Sequence, residues 1–324
     1  MMSRRGCGLA ALIAAALLMA GWFMLGGWFG SGPLRDEATF IVPSGSSLSA
    51  VADKLEREGA INSAESFVFK SRIFGGGAPI KAGEFLLPAA ASSSRILSII
   101  QSDEVIRRLV TIPEGMPSIM VHERLMAQPF LTGEVAMPEE GSVLPDSYDF
   151  ERGESRQSVL RRMQAAMSTT VQELWAKRSK NIAVSTPEEA LSLAAIVEKE
   201  TGQPSERRLV AGLYSNRLKR GMLLQADPTI IYPITKGKPL GRRIRQSEIQ
   251  AVNDYNTYSM TGLPKGPITN PGRASIAAVL NPAKTNALYM VADGKGGHAF
   301  ADTLEEHNAN VEKWFSIRRA RGEM

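Results

Sequence analysis

The chain has 324 residues, enough for about two domains of ~150 residues each, with 44% hydrophobic residues, 22% charged residues and a formal net charge of +5. Its one cysteine, Cys7, falls in an apolar N-terminal run, which excludes a disulfide framework and a thiol nucleophile in the rest of the chain. Three scattered histidines, His122, His298 and His307, lack metal-ligand spacing, so neither a metal site nor a cofactor is expected.

After Arg4 and Arg5, positions 6–30 carry no charge, a run of 25 residues against the about 20 that a membrane-spanning helix needs. A cleaved signal peptide has a shorter apolar core of about 7–15 residues. Leu18-Met19-Ala20 has the small-residue look of a cleavage site, but the apolar run continues through Trp22, Phe23 and Leu25. The segment therefore reads as an uncleaved anchor, and the two arginines before it place the N-terminus in the cytoplasm. The body then lies outside, which in a bacterium means periplasm or cell-wall space, with the anchor in the inner membrane.

Residues 31–38 read as a polar linker. Beyond it, a short apolar strand, a Pro43-Ser44-Gly45 turn and an amphipathic helix follow in order, with Leu48, Val51, Ala52 and Leu55 on one helical face. The shape recurs: Ile41-Val42-Pro43-Ser44-Gly45 aligns with Thr111-Ile112-Pro113-Glu114-Gly115, giving two β-turn-α units. Each is too small to bury its own face, so they pack together or against the next domain. The first unit, with Lys81 to Phe85 as a return strand, resembles the LysM-like module of bacterial wall proteins. That analogy implies glycan contact; a simple spacer fits the pattern equally.

A long amphipathic helix with alternating surface charge is expected over 158–178. Next comes the best-marked helix of the chain, Pro187 to Thr201. Thr186 suits the N-cap, Pro187 the first position, Glu189 a capping box and Gly202 a left-handed C-terminal residue. The interior is apolar through Leu191, Leu193, Ala194, Ala195, Ile196 and Val197, and its last turn carries Glu198 and Glu200. Glu200 continues the bulkier stripe of Leu193, Ile196 and Val197, which favours it as the more buried carboxylate, the alternative being that both are solvated at a frayed helix end. Burial and the negative helix end both raise a carboxyl above its usual value of about 4.3. A carboxyl tuned toward about 6–7 is what a general acid needs at neutral pH.

A further helix follows over 204–221, then a turn-rich stretch, 222–275, where a cleft is expected. Five cations, Lys236, Lys238, Arg242, Arg243 and Arg245, crowd ten residues of it. They read as a solvated loop or as an attraction for an anionic polymer. Nucleic acid is a poor partner, since no aromatics are interleaved for base stacking. Asp293 to His298 reads as a hairpin turn rather than a phosphate loop, and a final helix closes the chain.

Three clusters in order, Glu200-Thr201, Met222-Leu223-Leu224-Gln225 and Asp254-Tyr255-Asn256-Thr257-Tyr258, resemble the motif series of lytic transglycosylases with a lysozyme-like core. More closely, AIVEKET, NRLKRGMLLQADPTIIY, YNTYSMTGLPKGPITNPGRASIAAVLNPA and LYMVADGKGGHAF resemble the MltG (YceG-like) endolytic murein transglycosylases. The resemblance implies that Glu200 is the catalytic acid/base and that Gln225, Tyr255 and Asn256 line the sugar site. Asp227 and Tyr258 complete the expected substrate-binding set. Family members carry an aromatic-rich EGW/F-x-x-P-D-T/S segment. Here it reads Glu140-Gly141-Ser142-Val143-Leu144-Pro145-Asp146-Ser147, without the rings a sugar-stacking loop uses.

The fold so implied is α+β: a transmembrane helix, a small LysM-like α/β module, and a mainly helical lysozyme-like catalytic domain with a β-hairpin near the C-terminus. Residues 1–5 form the cytoplasmic stub, 6–30 the membrane helix, 31–38 the linker, 39–150 the LysM-like module and 151–324 the catalytic domain. The implied partners are peptidoglycan glycan strands, the membrane, and peptidoglycan synthases. Two alternatives stand beside this reading. One is a hydrolytic muramidase that uses Asp227 as a second carboxylate, although an Asp before Pro is usually a turn former. The other is a non-catalytic, membrane-anchored peptidoglycan-binding scaffold.

Overall fold

In the computed structural model, which describes residues 4–323, the chain opens with helix α1, Arg4–Phe29. Most of the expected stub, Met1 to Ser3, lies outside the described residues, as does the side chain of Cys7. The window Leu12–Phe29 of α1 is 18 residues with a mean hydropathy of 1.8, long and apolar enough to cross a membrane. The chain then divides into two units, one ending at Arg108 and one beginning at Leu109.

In the first unit, strand β1 (Ala38–Val42) leads through a turn to helix α2 (Leu48–Arg57), and helix α3 (Ala64–Phe74) leads to strand β2 (Gly83–Leu87) and helix α4 (Ser93–Gln101). β1 and β2 pair antiparallel with Phe40 opposite Phe85, the return strand expected from Lys81 to Phe85. Phe40, Phe85, Val51, Ala52, Leu55, Phe67, Ile96 and Ile100 form its core, with Leu48 packed at the edge. Trp28, in the last turn of α1, is 1% exposed and belongs to the same core. Its ring lies 5.9 Å from Phe67 and 6.0 Å from Phe74.

The segment read as a polar linker is tied by its backbone to the first unit. Gly32 donates to the Ala90 carbonyl at 3.1 Å, and Ala90 donates back to Leu34 at 2.8 Å. A side chain at Gly32 would meet the Ala91 carbonyl at 2.1 Å, so only glycine fits.

The second unit starts within strand β3 (Arg107–Thr111), which pairs with β4 (Ser147–Glu151); helix α5 (Ser118–Met126) lies between them in sequence. The aligned turns of the two repeats have the same geometry. Gly45 and Gly115 take φ of +76° and +72°, and the turns close with bonds from Ser46 to Pro43 at 3.2 Å and from Met116 to Pro113 at 3.3 Å. A glycine at that position is what such a turn requires. The repeats do not share a module, however, since one sits in each unit. Nor does the division fall at residue 150. Val110, Ile112, Val121 and Phe150 bury into one cluster with Val159, Leu160 and Met163, residues of helix α6 (Arg156–Ala176).

The main core of this unit forms around helix α7 (Pro187–Glu200), which is buried on nearly every side from Ala190 to Val197. A helix apolar all round belongs inside a protein. Against it pack α6, helix α8 (Arg207–Lys219), the short helix α9 (Pro228–Thr235) and α11 (Arg273–Leu280), and the four-residue α10 (Gln246–Ile249) lies between α9 and α11 in sequence. The expected hairpin is β5 (Tyr289–Ala292) with β6 (His298–Ala301), Ala292 opposite His298. The Asp293 carboxylate closes its turn by accepting from the Lys295 and Gly297 N–H groups at 2.7 and 3.0 Å. Helix α12 (Leu304–Ala320), started by a Thr303–Glu306 capping box, ends the chain.

Candidate functional site

The start of α7 is the one its sequence predicts. Thr186 Oγ1 accepts from the Glu189 N–H at 3.2 Å. Glu189 itself caps one residue further out, on the Ser185 N–H at 2.6 Å. The end differs. Thr201 is extended, with φ −139° and ψ 129°, and Gly202 is absent from the left-handed glycines. Thr201 is buried, and its hydroxyl donates to Glu206 at 3.1 Å while accepting from the Gln203 N–H at 3.0 Å. Glu206 also accepts from the His298 N–H at 2.8 Å and pairs with His298 Nδ1 at 2.8 Å. The β5–β6 hairpin is thereby tied to the turn that follows Glu200.

The two carboxylates of the last turn have different surroundings. Glu198 is satisfied: its side chain, 6% exposed, stands 3.7 Å from Arg207 and accepts from the Gly272 N–H at 2.8 Å. It anchors the residue that caps α11, so burial alone did not single out Glu200. Glu200 is held up to about 7, first by burial and then by the charge of Asp227. The hydroxyl of Tyr214 bonds to it and the guanidinium of Arg217 lies near; both oppose the rise without reversing it. Tyr214 is 2% exposed, and burial raises its phenol well above the ordinary range, so it remains a donor.

Asp227 stands at the start of α9 but makes no side-chain cap. Its Oδ1 accepts instead from the Tyr258 hydroxyl at 2.6 Å. Gln225 adopts φ +51°, a left-handed conformation rare outside glycine, and its side-chain oxygen accepts from Arg217 at 3.4 Å. Strained backbone of this kind gathers at functional sites. A buried staple imposes it: Thr257 accepts from the Ala226 N–H at 3.0 Å, bonds Thr229 through their hydroxyls at 2.8 Å, and takes the Gln225 N–H on its carbonyl at 3.1 Å. Glu200, Gln225, Asp227 and Tyr258 are thus brought together, with Tyr214 and Arg217 joining them from α8.

Asn256 and Tyr255 are placed otherwise. Asn256 is fully buried and donates to the carbonyls of Ile249 and Ala251 at 2.9 and 2.6 Å. Its oxygen accepts from the Tyr258 N–H at 3.0 Å, leaving nothing for a sugar. It folds the loop that presents Tyr258. The Tyr255 ring packs 4.8 Å from Tyr232, whose hydroxyl bonds both Tyr255 and Glu140. Glu140 accepts from the Ser118 N–H at 2.8 Å and is raised by burial to about 7. This second raised carboxyl shares no partner with Glu200.

Sequence reasoning missed Tyr214, Arg217 and Glu206. A signal existed for the first two, which stand three apart on α8 and so share a face. Arg217 is 8% exposed and donates to the carbonyls of Leu288 and Leu224 at 2.6 and 2.8 Å, holding the Gln225 loop in place. Of the five clustered cations, Lys238 pairs with Glu123 at 2.5 Å and Arg242 with Glu248.

Three comparisons bear on this site. An endolytic murein transglycosylase of Bacillus subtilis (strain 168) is 27% identical over 310 residues, covering 86% of this chain and 84% of that protein. One from Streptococcus pneumoniae serotype 2 is 28% identical over 320 residues, 83% of this chain but 57% of the longer relative. Among solved structures, a putative yceG-like protein of Listeria monocytogenes at 2.6 Å matches with a TM-score of 0.54 and 26% identity, over 85% of this chain and 98% of that one. The model of the YceG-like family matches residues 40–313, from the first β-strand through the Glu200 cluster into α12, and the chain belongs to that family.

Proposed function

We propose that this protein is an endolytic lytic transglycosylase that cleaves the glycan strands of peptidoglycan. The relatives named for that activity support it. The observation that carries it is Glu200, a carboxyl raised to about 7 at a helix end where its neighbour Glu198 is paired with Arg207. Protonated Glu200 donates to the oxygen of the β-1,4 bond between N-acetylmuramic acid and N-acetylglucosamine, and the C1–O4 bond breaks. Positive charge develops at the muramoyl C1. The resulting carboxylate takes the proton of the same sugar's 6-hydroxyl, and the new O6–C1 bond closes a 1,6-anhydro ring. The nucleophile is internal, so no second carboxylate is required, unlike the pair of ordinary glycosidases. Tyr214 orients Glu200, and the exposed amide of Gln225 is the sugar contact on the Arg217 side.

Mass spectrometry of products from purified glycan strands decides the chemistry. Ends lacking one water and resistant to borohydride establish the anhydro product. Reducing ends mean that water attacks, with Asp227 as the second carboxylate; its closeness to Glu200 is what keeps that reading alive.

We further infer that α1 anchors the protein in the inner membrane with Arg4 and Arg5 on the cytoplasmic side. The apolar run that continues past Leu18-Met19-Ala20 through Trp22, Phe23 and Leu25 supports an anchor over a cleaved signal. On the same reading the first unit is a LysM-like module and the α7–α11 assembly a lysozyme-like core. Cutting nascent strands beside the polymerising machinery follows from the anchor. Native pull-downs that recover no peptidoglycan synthase would count against that placement.

A further inference from the structure

Within the first unit, the end of α1 and the starts of α3 and α4 enclose a cavity of about 490 Å³. Lys70 lines it and is only 5% exposed. Among the described residues, its ammonium makes no hydrogen bond and no ion pair. A side chain buried to this extent, with no carboxylate beside its amine, favours an anion in the adjoining space. The fit against α1 is close: a side chain at Gly27 would stand 2.6 Å from Lys70 Nζ.

The remaining lining is suited to an anion. Ser63 is the N-cap of α3, Ser66 sits in its first turn, and Ser93 is the first residue of α4. Two helix starts therefore border the same space with their positive ends, the Ser66 and Arg95 N–H groups being held by the Ser63 and Ser92 hydroxyls at 3.2 Å each. No Asp or Glu lines the cavity among the described residues. Glu56 serves the start of α3 by holding the Ala64 N–H at 3.1 Å, yet it is not part of the lining. Hydroxyls, an ammonium and two helix starts together are the chemistry of phosphate recognition.

What supplies the phosphate follows from position. The rim includes Trp22, 81% exposed on α1, inside the apolar window Leu12–Phe29. On the anchor reading given above, on which this inference rests, the cavity opens at the depth of the lipid headgroups, where exposed tryptophans gather. We propose that the cavity binds the headgroup phosphate of an anionic membrane lipid, clasped by Lys70 between the α3 and α4 helix starts.

The test is native mass spectrometry of the full chain in detergent, titrated with phosphatidylglycerol, for the parent, Lys70→Met and Lys70→Arg. The parent and the arginine variant retain one lipid, and the methionine variant retains about tenfold less, as loss of a charged hydrogen bond predicts. Its melting temperature in lipid-free detergent matches or exceeds the parent's, which separates lost binding from misfolding. Equal retention by Lys70→Met overturns the proposal. So does displacement of the lipid by inorganic phosphate with no lipid selectivity, which makes free phosphate the ligand. Vesicle flotation is a separate readout: a chain that fails to float overturns the anchor while phosphate binding in detergent stands.

Discussion

Glu198 and Glu200 are two residues apart on one helix and have different partners. One has a backbone N–H and Arg207; the other has burial and Asp227. Glu200→Gln is expected to lower glycan cleavage by about 10²–10⁴, the usual contribution of a general acid, read as release of muropeptide ends. The acid must be protonated to act, so activity of the parent should fall as pH rises through about 7. Its neighbours move that limb in opposite directions. Asp227→Asn removes a negative charge and shifts it to lower pH; Tyr214→Phe removes a bond to the carboxylate and shifts it higher. If Asp227→Asn abolishes cleavage at every pH, Asp227 is doing chemistry and not tuning. The same value bears on stability. A carboxyl raised in the folded state binds protons more tightly there, so stability is lost as pH climbs from the unfolded value of about 4.5 through 7. Glu200→Gln should therefore stabilise the fold above pH 7 by about 1–3 kcal/mol and much less below pH 4.5, measured by denaturant melts.

How much of this was legible varied residue by residue. Glu200 was readable from its stripe and the strings around it. Tyr214 and Arg217 had only their shared helix face as a signal, and a buried Tyr and Arg on an apolar face look like packing until the loop they hold is seen. Asn256 was legible as a motif residue, but its burial under the loop carbonyls gives it a different task from sugar contact.

Among the elements, the loop from Leu224 to Asp227 carries the most informative strain. Thr257 and Thr229 hold Gln225 at φ +51°. Gln225→Gly relieves it and should raise stability by about 1–2 kcal/mol while lowering turnover, since the amide is lost. A variant that gains stability and keeps full turnover would remove Gln225 from the site. The start of α7 was well predicted from its cap. Ends and connections were not: α7 closes on an extended Thr201 bonded to Glu206, and residues 31–38 are pinned by pairing with Ala90. Both depend on residues distant in sequence, which local patterns do not register. The repeated Pro-x-Gly turns were visible for the converse reason, since a left-handed glycine is a local demand.

For the molecule as a whole, the division at Arg108 implies two transitions where the sequence suggested a boundary 42 residues later, at 150 rather than 108. Trp28→Ala should destabilise the first unit by about 3–5 kcal/mol, as for other buried aromatics cut to alanine, and leave the melting of the second unit unchanged. Hydrogen exchange resolved along the chain reads both at once; uniform loss of protection through residue 323 would argue that the units fold together. The placement of Trp28 also has a mechanical meaning. Because α1 ends inside the core of the first unit and the following strand of chain is laced to Ala90, there is no swivel where the helix leaves the bilayer. On the anchor reading, any change in bilayer thickness that tilts α1 tilts the whole first unit by the same angle.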